Sequence, residues 1–140
     1  MTLSGATTRG ERNNNPGNIR LGSNWQGLAA KQTDPDFCVF VDVKFGFRAL
    51  AKVLTIYQQK GFDTVRSIIE RWAPENENNT SAYISAVAAT MKVDPNTHLD
   101  VQQYDQMFPL VDAITRHENG RNIYLRTVID AGLALAGIVP

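Results

Sequence analysis

The sequence predicts a mainly α-helical fold with a small β element near its N-terminus, on three observations. Turn-forming Asn, Gly and Pro crowd the first third of the chain, as in Arg9-Gly10-Glu11-Arg12-Asn13-Asn14-Asn15-Pro16-Gly17-Asn18-Ile19-Arg20. The short run Phe37-Cys38-Val39-Phe40-Val41 is the best strand in the chain. From Phe45 onward the apolar spacing changes from two to 3.6 residues and stays there. At 140 residues, 43% hydrophobic and 20% charged, the chain has the composition of one domain with a hydrophobic core.

Residues 1–8 are small and polar and read as a disordered lead-in, with a single domain over 9–140. The asparagine-rich run from Arg9 to Arg20 is expected to be irregular, its side-chain amides bonding to nearby backbone. Ser23–Gly27, which carries Trp25, and Asp34-Pro35-Asp36 are further turns. With the Phe37–Val41 strand they suggest a small, irregular β-hairpin lobe over 18–43. Phe47, Leu50, Ala51, Leu54 and Tyr57 mark a first long helix that stops near Lys60-Gly61. Val65, Ile68, Ile69 and Trp72 mark a second, ended by Pro74. Asn79 or Thr80 can cap a third that carries Tyr83, Ile84, Val87, Ala88 and Met91, broken by Asp94-Pro95-Asn96. Met107, Leu110, Val111 and Ile114 form the stripe of a fourth, stopped by Asn119-Gly120. Tyr124 to Ile138 is a last helix, apolar on most sides and so expected to be well covered.

Charge and chemistry narrow the function. Fourteen basic residues balance fourteen acidic ones, so no net field draws the chain to nucleic acid or an anionic membrane. A neutral or mixed polymer is the easier substrate. Cys38 is alone, which excludes an internal disulfide and a multi-cysteine metal site, and its apolar neighbours make it a small buried hydrophobe. His98 and His117 have no HExxH spacing, so no metal or other cofactor is implied. No GxSxG elbow accompanies them. The N-terminus lacks the apolar core of a signal peptide, and no stretch reaches the ~20 apolar residues of a membrane span. The expected product is made in the cytoplasm and carried elsewhere by another route.

Glu118 is the most informative acid. At about 100° per residue it projects within roughly 20° of Met107, so it continues the apolar stripe while Arg116 points away. Such a carboxylate is either paired, with Arg121 or Arg126 in reach along the chain, or kept as a partly desolvated general acid. A glycosidase needs the second kind: a carboxylic acid able to protonate a leaving glycosidic oxygen. Asp34 and Asp36 read as turn formers that can also supply a second carboxylate across a cleft. Glu77, with Glu75, reads as a helix-start acid or a cleft-lining one. Glu11 reads as a solvated loop charge and is the fallback acid. Tyr57, Trp72 and Tyr83 are core aromatics first, whereas Trp25, in an amide-rich loop, is the better sugar-contact residue.

These motifs carry a resemblance. Asn13-Asn14-Asn15-Pro16-Gly17-Asn18-Ile19-Arg20, the 37–40 strand followed by Gly46-Phe47-Arg48-Ala49-Leu50, the run Trp72 to Tyr83, and Arg116-His117-Glu118-Asn119-Gly120 resemble phage and prophage proteins. These are related to lysozyme-like peptidoglycan hydrolases and often labelled virion structural proteins. In the wider likeness, cell-wall glucosaminidases and lytic transglycosylases carry a helix that ends in a catalytic glutamate. In the glucosaminidases an NNLFGIK-like turn, a Trp-x-Gly stretch, an FRVY-like strand and a helix follow it. Asn14–Arg20, Trp25-Gln26-Gly27, Phe37–Phe40 and the helix from Gly46 keep that order, but the glutamate helix stands near the C-terminus instead.

The resemblance therefore implies a lysozyme-like helical domain, circularly permuted. It implies cleavage of peptidoglycan glycan strands as a muramidase or lytic transglycosylase, with Glu118 as acid. Asn14, Asn15, Asn18, Trp25 and Tyr83 would bind sugar and acetamide groups. Partners would be the glycan strands and, through delivery to the cell wall, virion, lysis or secretion machinery. The alternative is a non-enzymatic virion or secretion-apparatus component that binds peptidoglycan.

Overall fold

The computed structural model describes residues 6–75 and 78–140, and among these the chain is mainly helical. The N-terminal helix α1 spans Arg9–Arg12, a single turn where the asparagine-rich sequence suggested no regular structure. Thr8 makes that turn possible: its hydroxyl accepts from the Glu11 N–H while the Glu11 carboxylate accepts from the Thr8 N–H. Thr8 thus belongs to the fold, and the remainder of the expected lead-in lies largely outside the described residues.

Between α1 and the next helix the expected hairpin is replaced by isolated antiparallel bridges, Arg20 with Phe37 and Leu28 with Phe40. The reason lies in who satisfies the backbone of Phe37–Val41. One side is held by the asparagine loop: Cys38 N–H donates to Ile19 O, and Phe40 N–H donates to Asn13 O. Asn15 donates to both Ile19 O and Cys38 O. On the other side Val41 N–H donates to Gly27 O, Ala29 N–H donates to Val39 O, and Gln32 brackets both polar groups of Val39. Side chains take ladder positions that a neighbouring strand would otherwise fill.

Helix α2 (Val43–Gln59) is the central element, capped by Asp42 and burying Phe47, Leu50, Ala51 and Leu54. Phe47, Leu50 and Leu54 each contribute about 1.5–3 kcal/mol of gross transfer free energy. Gly46 is fixed by proximity, because a Cβ there would stand 2.2 Å from the Asn14 carbonyl oxygen. That contact seats the asparagine loop directly on α2. Helix α3 (Val65–Trp72) starts on a Thr64–Ser67 capping box, and α4 (Thr80–Met91) starts on Asn79, whose side chain accepts from Ala82 N–H.

Helix α5 (Tyr104–Asn119) buries Met107, Leu110, Val111 and Ile114 completely and closes on Gly120 at φ +74°. The buried side chains form one continuous cluster spanning α2 to α6 (Arg126–Leu135). The last helix departs from expectation. It packs on α2, buries Ile129, Gly132 and Leu133, and leaves Leu125 73% and Val139 61% exposed beside it. It is covered on one face rather than on most sides: Val128, Ile129 and Leu133 pack on the core, Gly132 lies close against Phe47 of α2, and Leu135 is exposed. No helix among the described residues is long and apolar enough to cross a membrane.

Candidate functional site

The end of α5 and the asparagine loop, far apart in sequence, grip each other. Asn119 donates to Pro16 O at 3.0 Å and accepts from the Thr8 hydroxyl at 2.6 Å. Arg121 donates to both carboxylate oxygens of Glu11, at 2.7 and 3.0 Å. Gly10 sits beneath this knot, where a Cβ would stand 2.6 Å from Asn119 Oδ1. Glu11 is therefore neither a solvated loop charge nor a free acid. It is buried, and the Arg121 guanidinium holds its carboxyl below the ordinary range against the opposing effect of burial. A group held ionised in this way is a poor proton donor, which removes the fallback acid.

Glu118 stands one residue from this knot and is treated differently. Asn18 Nδ2 donates to its Oε1 at 2.9 Å, and the Tyr83 hydroxyl donates to its Oε2 at 2.8 Å. Both donors are uncharged. Arg121 goes to Glu11, and Arg126 donates to the Tyr104 hydroxyl and lies over the Tyr104 and Phe108 rings. The pairing expected of a purely structural carboxylate is thus not made with either arginine. Tyr83 is 2% exposed and stacks on the His117 ring at 3.7 Å between centroids. Burial first, then the adjacent Glu118 carboxylate, pushes its phenol far above the ordinary range, so it remains a donor at any working pH.

Glu118 forms part of the wall of a cleft of about 420 Å³, within the size of ordinary ligand sites. Trp25, Phe37, Tyr57 and Trp72 supply aromatic surface, and Asn18, Arg20, Arg71 and Asn78 supply polar groups. Gly17 and Asn18 form part of the same wall, with Asn18 in a left-handed conformation at φ +51°. Of the sequence-predicted site residues, the fold brings Glu118, Asn18 and Trp25 together around this cleft, with Tyr83 beneath the acid rather than on the cleft surface.

The others are corrected by their partners. Asn14 donates to Phe40 O, and Asn15 is 0% exposed with three bonds to Ile19 and Cys38 backbone. Both hold the loop rather than face the cleft, because the 37–41 backbone needs them. Asp34 and Asp36 share Arg9: Asp34 accepts from its Nε at 2.6 Å, and Asp36 accepts from its Nη2 at 2.9 Å. The Arg9 guanidinium holds Asp34 well below the usual carboxylate range. Asp34 Oδ1 also accepts from the Asp36 and Phe37 N–H groups, the turn-forming role expected of it, and neither aspartate lines the cleft. Glu77 lies outside the described residues. Burial raises the Cys38 thiol, consistent with a packing role.

Sequence reading missed Tyr57 and Trp72 as cleft walls. Their helical spacing looked like core, and only their half-buried state, ring edge to ring face at 6.4 Å, shows a surface left open. It also missed the Asn119 and Arg121 contacts, for which no local signal exists. Among the described residues no group of three or more His, Cys, Asp or Glu side chains is placed to hold a metal ion.

No family model matches the chain. It is 39% identical over 130 residues to Protein P5 of Pseudoalteromonas phage PM2, across 89% of this chain and 79% of that protein. The chain belongs to that phage protein family. The relationship extends over nearly the whole of the described fold, including both sides of the cleft, and it carries the phage link that the asparagine motif implied.

Proposed function

We propose that the chain is a lysozyme-like, peptidoglycan-cleaving glycosidase, with Glu118 as the general acid and the aromatic cleft as the glycan site. The observation that carries this reading is Glu118 itself: a half-buried carboxylate on a cleft wall, met by Asn18 and Tyr83 and by neither nearby arginine. The structural acid Glu11 shows what the alternative looks like in the same molecule. Trp25 and Trp72 offer faces on which sugar rings stack, and the cleft amides offer hydrogen bonds to acetamido and hydroxyl groups.

The lysozyme-like reading takes a permuted form. Helix α1 lies against the end of α5, joined by Arg121–Glu11 and Thr8–Asn119. In space the glutamate helix therefore leads into the asparagine turn, then Trp25, then the 37–41 segment and α2, the order that the related glucosaminidases have in sequence. Permutation leaves a site intact when the joined ends are adjacent.

Among the described cleft-lining residues Glu118 is the one carboxylate. Water-dependent hydrolysis uses two carboxyls, about 5–5.5 Å apart when retaining and roughly 6.5–9.5 Å apart when inverting. Internal attack by the muramoyl hydroxyl, which leaves an anhydro product, needs only the acid. Both branches of the proposal therefore stand, and Glu77, a candidate for the second carboxyl, lies outside the described residues. A second reading, favoured by the same aromatic and amide-lined cleft, is a virion or secretion-apparatus component that binds peptidoglycan without cleaving it.

Zymography of the purified chain on isolated cell wall separates these readings. Clearing that is lost in Glu118→Gln supports the enzyme, and anhydro ends in the product masses support transglycosylation. Wall binding without clearing or soluble product sinks the enzyme and leaves the binding component.

A further inference from the structure

The Asn18 carboxamide has two ends in opposite surroundings. Its Nδ2 donates to Glu118 Oε1 at 2.9 Å, while its Oδ1 is buried without a donor. That oxygen sits in the crowded space over Gly10. A Cβ on Gly10 would stand 3.0 Å from Asn18 Oδ1, 2.8 Å from the Asn15 carbonyl oxygen and 2.6 Å from Asn119 Oδ1. Three acceptor oxygens surround that one position, and the Thr8 hydroxyl donates to Asn119. A buried acceptor lacking a donor is unfavourable, and one beside other acceptors more so.

A half-turn about the Asn18 Cβ–Cγ bond exchanges Oδ1 and Nδ2 at almost unchanged atomic positions. The turned amide puts its N–H groups on the side of Gly10 where the Asn15 and Asn119 oxygens also lie, and its carbonyl toward Glu118 Oε1. Against a carboxylate that carbonyl is repelled. Against a carboxylic acid it accepts the acid's O–H. We propose that Asn18 is a positioning residue whose amide turns with the proton on Glu118, donating to the carboxylate and accepting from the acid.

The other groups around Glu118 are compatible with both states. Tyr83 of α4 can donate to Oε2 in either, and His117 is stacked behind it. Arg20 and Arg71 stand on the cleft walls, and Arg121 is paired with Glu11. The catalytic meaning rests on Glu118 being the acid. A general acid passes through both protonation states in every turnover, and a fixed donor would favour the carboxylate alone. A turning amide supports each state as it arises.

Side-chain amide NMR on the full chain tests this without any wall substrate. As pH falls, the Asn18 Hδ2 protons gain contacts to Gly10 Hα, with the same midpoint as the Glu118 carboxyl carbon. In Glu118→Gln the Tyr83 hydroxyl takes the new carbonyl, the new amide faces Asn18, and the turned orientation persists at every pH. An Asn18 amide that keeps one orientation across the Glu118 titration overturns the proposal, even in a chain that lyses walls. A turning amide in a chain that fails to lyse walls keeps the switch and removes its catalytic meaning.

Discussion

Glu11 and Glu118 are held at the same junction, where the end of α5 meets the asparagine loop, and they receive opposite treatment. Glu11 is buried, caps its own helix turn and is clamped by both donors of Arg121. Glu118 opens on the cleft and, among the described residues, is met by an amide and a phenol. A cation stabilises one protonation state strongly, so it fixes charge and position together. Neutral donors fix position without placing a charge beside the group. The difference separates a carboxylate that holds the fold from one left on a cleft wall.

The strongest way to break that contrast is to neutralise each acid in turn. Glu118→Gln should reduce wall lysis by about 10²–10⁴-fold, the usual worth of a general acid, with little change in thermal midpoint. A folded Glu118→Gln that lyses normally would take Glu118 out of the reaction. Next in size, Gly46→Ala should cost about 1–3 kcal/mol as overpacking, because its Cβ would enter the Asn14 carbonyl. Denaturant unfolding should show the loss, accompanied by weakened lysis, since the same contact seats the loop that carries Asn18.

Asn15→Ala should cost roughly 1–3 kcal/mol by leaving buried backbone groups of Ile19 and Cys38 without partners. Equal stability of that variant would mean the loop is held otherwise. Glu11→Gln should lower stability at neutral pH while retaining most lysis in the folded protein. Because the Glu11 carboxyl is held below its ordinary range, its contribution is full above the unfolded carboxylate range and disappears as pH falls through the folded value. Melting curves of the variant and the parent should therefore converge in acid. The smallest effect is expected from Asp34→Asn, which loosens the Arg9 turn but should leave the lytic rate within about twofold, since it removes no group from the cleft.

The helices were legible because each buries one stripe against its neighbours, and local spacing records that directly. Asn79 as a cap, Pro74 as a stop and the burial of Met107, Leu110, Val111 and Ile114 all follow from short-range pattern. The expected cover over the last helix failed because apolar content does not say which face is used, and Gly132 lies on the one that meets α2. The hairpin failed because Asn15 and Gln32 side chains substitute for a strand. Alternation of residues carries no sign of that.

The site divides in the same way. Sequence alone determined that Glu118 ends an apolar stripe, since a helix of 3.6 residues per turn leaves no other direction for it. It also determined that the asparagine run forms compact turns, and the structure places two of its residues, Asn14 and Asn18, at positive φ. Only the tertiary structure decided which acid Arg121 takes, which asparagine reaches the cleft and which ones brace the loop. Those outcomes depend on contacts between residues about a hundred positions apart. Such contacts are set by how the whole core closes, and no local pattern encodes the choice between neighbours as similar as Glu11 and Glu118, or Asn15 and Asn18.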